Sequence, residues 1–251
     1  MRTGLLRLIQ FAVVLAMVLA GPPAGAETIN CTAVTSIPAV ITVPGIYCLT
    51  GNLSTNMTSG NAIEIQTNNV VLDLNGHKLG GLAAGPSTGA IGIFATGRQN
   101  ITLKNGTVRG FYTGIQLLDT GINVGASQGH VVEDIRADFN TQTAIQVEGR
   151  GNLVQNNQVV KVTGGSAGVF TYGISVAGVG PQVLNNDLID VNLGIFFYNA
   201  ASGGMAVNNR ITNTVVGGIN YGGGSTGKYR DNLTFDVPTP YSGGTDAGNN
   251  N

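Results

Sequence analysis

Residues 183–195 read VLNNDLIDVNLGI and residues 206–214 read AVNNRITNT. Each places an Asn corner between two short apolar runs, and phrases of this kind recur over residues 60–237. One phrase is a small residue followed by Ile: Ala62-Ile63, Ala90-Ile91, Gly114-Ile115, Ala144-Ile145, Gly173-Ile174, Gly194-Ile195 and Gly218-Ile219. The other sets an amide or acid before an apolar run, at Asn75, Asn105, Asp134, Asn157, Asn186, Asn209 and Asn232. Members of each set follow one another at about 21 to 30 residues, a period near 23 with insertions of about six, which marks a repeat protein.

The runs between corners are strands. Ile101-Thr-Leu-Lys, Ile115-Gln-Leu and Ile145-Gln-Val alternate with period two and are too short for helices. Gly, at 39 of 251 residues, punctuates them. A coil of about 23 residues then holds two or three strands, and stacking pairs each strand in parallel with its copy roughly 4.8 Å away. A single coil buries little, so stability comes from its neighbours. The expected fold is all-β, a single-stranded parallel β-helix of about seven coils. An Asn repeated at each level can turn inward and bond the backbone of adjacent corners, satisfying groups that would otherwise be buried unpaired.

The phrases LDLNGHKLGG (72–81), ITLKNGTVRGF (101–111), VLNNDLIDVNLGI (183–195) and AVNNRITNT (206–214) resemble the repeats of the right-handed parallel β-helix, or pectate-lyase-like, superfamily. The resemblance covers about residues 60–237 and implies right-handed coiling. It is specific for fold and says little of function, because enzymes, binding proteins and phage-type structural proteins share such repeats.

Residues 1–26 read as a secretory signal peptide: Arg2 and Arg7, an apolar run from Phe11 to Ala20, then Ala24-Gly25-Ala26 before Glu27. A membrane anchor is the rival, but the run falls short of the roughly 20 residues a span needs. The expected location is secreted or periplasmic, outside the cytoplasm, with no transmembrane segment. The formal charge is −1, and 10% of residues are charged, without the basic stripe of a nucleic-acid binder. Cys31 and Cys48 are the two cysteines, and in an exported chain a disulfide is the default. A metal site is the rival, with no neighbouring Cys or His to complete it.

Residues 27–59 read as an N-terminal, disulfide-clipped cap, because a solenoid end needs covering. Residues 238–251 read as a C-terminal cover and a loose tail. Longer spacings place loops at 80–89, 120–129 and 164–171.

No compact catalytic motif stands in the chain, and no metal-ligand set is legible. His77 reads as a corner residue and His130 as a strand start. In a solenoid a site is built across coils, so columns matter. Four residues beyond the corner residue the column reads Arg109, Asp138, Lys161, Asp190, Asn213 and Asp236. Its bland reading is a ladder of neighbouring ion pairs, each worth about 0.2–1 kcal/mol. Beside the corner runs a second column, Lys104, Glu133, Asn156, Asn185, Asn208 and Asp231, where Lys104 and Glu133 can pair. The resemblance implies a second reading of the first column. Lyases of the superfamily use an Arg or Lys base with carboxylates holding calcium, and hydrolases use clustered aspartates. Carried onto this chain, Arg109 or Lys161 is the base, and Asp138 and Asp190 are the carboxylates. The family's dense calcium-binding acid cluster and signature segments are missing, so calcium is expected only if the protein is lyase-like.

One residue after each repeat Ile, outward positions carry Gln116, Gln146, Ser175, Phe196 and Asn220, with Tyr198 facing the same way. An aromatic ring beside amides suits sugar: the ring covers an apolar pyranose face and the amides bond hydroxyls. Burial of Phe196 under a loop is the alternative. Two function classes remain. One is an extracytoplasmic protein that binds or processes polysaccharide, or a cell-surface glycan, on a solenoid face. The other is a non-enzymatic structural or adhesin-like surface protein. A calcium-assisted polysaccharide lyase is a further alternative, and if the protein is an enzyme, lyase or glycoside hydrolase chemistry is expected.

Overall fold

The computed structural model describes residues 28, 30–121, 125–162 and 170–251. The expected signal peptide lies outside the described residues, as does most of the 164–171 loop. The chain folds as a parallel β-helix. Its strands join one 23-stranded sheet, and the pairings between coils run parallel. Leu103 pairs with Val132, and Ile115 pairs with Ile145.

Each coil has three faces. On the first, Asn61–Ile65, Ile91–Thr96, Thr113–Leu118, Thr143–Glu148 and Tyr172–Ala177 stack in order, followed by the C-terminal halves of Asp187–Phe197 and Arg210–Tyr221. These are the seven levels expected between residues 60 and 237. The second face begins with Val70–Asp73 and the third with Lys78–Gly80, and Ile101–Arg109 runs through the corner joining the two. Ile63, Ile93, Ile115, Ile145, Ile174, Ile195 and Ile219 form one inward column. The second member is therefore Gly92-Ile93, not Ala90-Ile91. The residue before this Ile also points inward. A Cβ on Gly173 would lie 2.7 Å from the Gly194 carbonyl oxygen, so that position admits no side chain, while Ala62 and Ala144 hold a methyl in the same column.

Left-handed backbone marks the three corners. One column is Asn69, Asn100, Gly129, Gly151, Gly180 and Gly203; the next is Asn105, Asp134, Asn156, Asn185, Asn208 and Asp231; the third is Gly110, Phe139, Lys161, Asp190, Asn213 and Asp236. Asn, Asp and Gly dominate because positive φ costs other residues about 1–2 kcal/mol.

This register corrects the expected columns. Asn75, Asn105 and Asp134 do not face inward with Asn157, Asn186, Asn209 and Asn232. Asn105 and Asp134 share the left-handed column with Asn156, one residue earlier, while Asn75 occupies a longer corner. The inward column runs Gly106, Ile135, Asn157, Asn186, Asn209 and Asn232. From Asn157 onward it is a buried ladder. The Asn186 Oδ1 accepts from the Asn157 backbone N–H and its Nδ2, each at 3.0 Å, while Asn186 Nδ2 donates to the Val154 carbonyl at 3.0 Å. Asn209 and Asn232 repeat the pattern.

Both expected caps are levels of the helix itself. Ala39–Ile41, Gly45–Leu49 and Leu53–Ser54 pair in parallel with the coil above, and Thr32–Val34 lies outermost on Gly45–Leu49. Cys31 and Cys48 are bonded, with Cα atoms 5.8 Å apart, tying the chain start to that strand. At the other end Tyr241–Ser242 and Thr245–Asp246 continue the ladder, and Asn250 Oδ1 accepts from the Asn232 N–H. The expected loose tail is thus hydrogen-bonded. Rings close the core there: Phe197 stacks on Tyr221 at 4.2 Å and Tyr229 on Tyr241 at 4.7 Å.

Replacing Asn186 by Ala strands the buried Asn157 N–H and Val154 carbonyl of the preceding coil and is expected to cost about 1–3 kcal/mol. Asn52, exposed and holding only the Lys78 N–H, is expected to cost less. Urea denaturation of the two variants measures the difference; equal losses would mean that the ladder is not a buried support.

Candidate functional site

The amide and aromatic residues singled out on the first face do come together. Gln116, Gln146, Ser175, Phe196 and Asn220 occupy one register column. Gln116 Nε2 donates to Gln146 Oε1 at 2.8 Å, and Gln146 Nε2 donates to the Tyr198 hydroxyl at 2.7 Å. Tyr198 follows the Val176–Phe197 pair, level with Ala177, which is level with Glu148. The small Ala177 leaves room for the Tyr198 ring to reach back across it, and its hydroxyl donates to Glu148 Oε1. Burial, then the Glu148 carboxylate, holds that phenol protonated well above its ordinary range.

Three rings form a row here. Tyr172 stacks on Phe196 with centroids 5.3 Å apart, and Phe196 stacks on Tyr198 at 5.7 Å. They border a cleft of about 160 Å³ with Gln142, Thr143, Gln146 and Ser175. Phe196 is half-buried between the other two rings rather than sealed inward. Tyr172, Gln142, Thr143 and Glu148 were missed in the sequence reading. Because two consecutive residues face inward at each small–Ile phrase, outward positions fall both two residues before the Ile and one after it. Counting only those after the Ile passed over Thr143 and Tyr172.

The four residues carried over as catalytic are not gathered in one place. Arg109 and Asp138 are in register and paired, Nε to Oδ1 at 3.1 Å. Asp138 is buried and shared, since Arg136 Nε lies 3.0 Å from its other oxygen. Lys161 and Asp190 sit one residue later, in the left-handed corner column, so the expected alternating ladder breaks between Asp138 and Lys161. Lys161 holds its ammonium 5.3 Å from the Phe139 ring centre, and Arg109 covers the same ring at 5.0 Å. Asp190 accepts from Asn213 Nδ2 at 2.6 Å. The neighbouring column differs too: Lys104 pairs with Asp73 at 3.5 Å, while Glu133 accepts from Gln155. Among the described residues no three His, Cys, Asp or Glu side chains stand together as ligands.

The remaining polar centre supports a loop. Asp119 accepts from the backbone N–H groups of Thr120, Gly125, Ala126 and Ser127. Burial opposes its ionisation, but these bonds outweigh burial and keep its pKa below the usual carboxylate value. His130 is buried; its Nδ1 accepts from the Ile101 N–H, so Nε2 carries the proton and donates to Ser127 Oγ at 2.7 Å. His77 sits in the second corner, where its carbonyl accepts from Thr107.

No protein-family model and no curated protein matches the chain. Solved structures match at low identity. The enzymatically active domain of bacteriophage CBA120 tailspike protein 2 is 12% identical over 86% of this chain, with a TM-score of 0.48. The Agl-KA catalytic domain is 14% identical over 84% of the chain and 58% of its own length, with a TM-score of 0.38. A GH87 alpha-1,3-glucanase catalytic domain in complex with tetrasaccharides is 13% identical over 92% of the chain and 71% of its own length, at 0.32. The chain spans 38% of the length of the tailspike domain. These likenesses concern the fold alone. Among the described residues no helix is long and apolar enough to cross a membrane.

Burial depresses the His130 pKa to about 4, against a backbone contact at Arg98 that raises it. A base with a lowered folded pKa stabilises the fold while neutral, fully above its unfolded value. Stability is therefore expected to fall as pH drops from about 6.5 toward 4. Imidazole NMR shifts check the cause: His130 should stay neutral at pH 5.5, and a ring titrating near 6.5 would contradict the assignment.

Proposed function

We propose that the protein binds polysaccharide outside the cytoplasm, with one sugar ring or substituent seated against the row of Tyr172, Phe196 and Tyr198. The observation that carries this reading is the aromatic row itself, set beside Gln142 and Gln146 over the small Ser175 and Thr143. Rings cover apolar sugar faces while amides bond hydroxyls. The cleft is smaller than the roughly 300–1,000 Å³ of sites that enclose a whole ligand, which favours reading a segment of a long chain lying across the face. The Cys31–Cys48 bond and the signal-like start of the sequence support the extracytoplasmic setting.

Binding is preferred to catalysis because the charged side chains nominated for proton transfer have other partners. Asp138 is buried between two arginines, Lys161 lies against Phe139, and Asp190 accepts from Asn213. Freeing Asp138 for acid or base work would leave a buried carboxylate without its cations.

A glycan array of neutral and uronic-acid polymers, read with and without calcium, tests the reading. Tyr172→Ala and Phe196→Ala are each expected to weaken binding at least about tenfold, the loss of a ring contact of roughly 1.5 kcal/mol. Binding to no polymer, or unchanged binding in both variants, would remove the proposal. Release of unsaturated uronides by the wild type and not by Arg109→Ala would replace it with a lyase.

A further inference from the structure

A second opening lies on the third face, near the N-terminal end of the solenoid and away from the aromatic row. There Ser54, Gly80 and Arg109 occupy one register column on three successive coils. The middle member has no side chain. Two coil spacings, about 10 Å, therefore separate the Ser54 and Arg109 backbones, with a gap between them. A Cβ on Gly80 would point at Ser54 Oγ, 3.4 Å away, and at Lys78 Cε, 3.6 Å away. Any larger side chain would fill the gap. The resulting cleft has a volume of about 230 Å³ and is bordered by Ser54, Thr55, Lys78 and Arg109, with Leu82 and Ala83 as an apolar wall.

The charge around this gap is unbalanced. Lys78, Thr107 and Arg136 share the neighbouring column, and Arg109 is in register with Asp138. Three cations thus face one carboxylate. Both arginines lean on Asp138, at 3.1 and 3.0 Å, and Arg136 also bonds Gln158 at 2.7 Å. The Lys78 ammonium has no hydrogen bond or ion pair among the described residues. No acidic side chain borders the cleft. A half-buried lysine beside a shared guanidinium, two hydroxyls and a missing side chain has the donors of an oxyanion site.

We propose that this cleft binds an oxyanion, a carboxylate or sulfate, carried on a polymer whose apolar ring edges rest against Leu82 and Ala83. The site is separate from the aromatic cleft and does not depend on it. Polymer-borne and free anions share the chemistry, and only the polymer also uses the apolar wall.

Calorimetric titration of the full chain at low ionic strength, with polygalacturonate, a sulfated glycan and free sulfate as probes, tests the proposal. The charged polymers are expected to bind, and to bind less as salt approaches 0.15 M, where the Debye length is about 8 Å. Lys78→Gln should weaken binding about tenfold or more, the loss of a charge-assisted hydrogen bond. Gly80→Val keeps every charge, fills the gap and should weaken binding similarly, with thermal melting confirming that it folds. Stronger binding of polymer than of free sulfate supports the polymer-borne source, and equal binding overturns it. The site itself is overturned if no probe binds the wild type, or if both Lys78→Gln and Gly80→Val bind normally.

Discussion

The structure depends on turning the backbone three times per level in a way that every other level can copy. Parallel strands stack only if each corner lies over the one below. A corner short enough to do this requires a residue in the left-handed region. The three columns of positive φ meet that constraint, and Asn, Asp and Gly fill most of their places. Phe139 and Lys161 are exceptions in the third column. Their side chains lie against one another with Arg109, so cation–π contact offsets part of the conformational cost.

Corners that stack also bring polar backbone into the interior, and the inward asparagines answer this. Asn157, Asn186, Asn209 and Asn232 each accept at Oδ1 from a corner N–H of the preceding coil and donate from Nδ2 to a carbonyl of that same coil. The earlier coils use different solutions: Ile135 fills the position inside one corner and Gly106 another, with a longer corner at 74–77 stacked over it.

The same difference explains what was legible in the sequence. Repeat period, strand direction and the seven levels between residues 60 and 237 could be read, because an inward Ile recurs at each of them. Columns could be read where all members share one corner type, as with Gln116, Gln146, Ser175 and Phe196. They slipped by one where an Asn means left-handed backbone in one coil, as at Asn105, and an inward ladder in the next, as at Asn157. Both roles favour the same residue for different physical reasons, and the slip dispersed the supposed Arg109–Lys161 column. Tyr172 was hidden for another reason: the doubled inward position at Gly173-Ile174 breaks strict alternation. The terminal levels were hidden because parallel pairing of 39–54 and 241–246 rests on backbone bonds that leave no repeated side chain.

A solenoid face is close to flat, since every coil presents a side chain at the same height, so a recess requires one member of a column to be small. The aromatic cleft arises in this way. Ser175 and Ala177 lie one coil before Phe196 and Tyr198, and the larger rings fold back over them. The opening at Gly80 arises in the same way, with Ser54 and Arg109 left standing on either side. Both recesses arise within regular strand columns, with a loop contributing only the Leu82 and Ala83 wall of the second, so the scaffold bears little cost for either. Recognition can thus vary with single residues in outward columns, while the inward Ile and Asn columns that hold the coils together stay as they are.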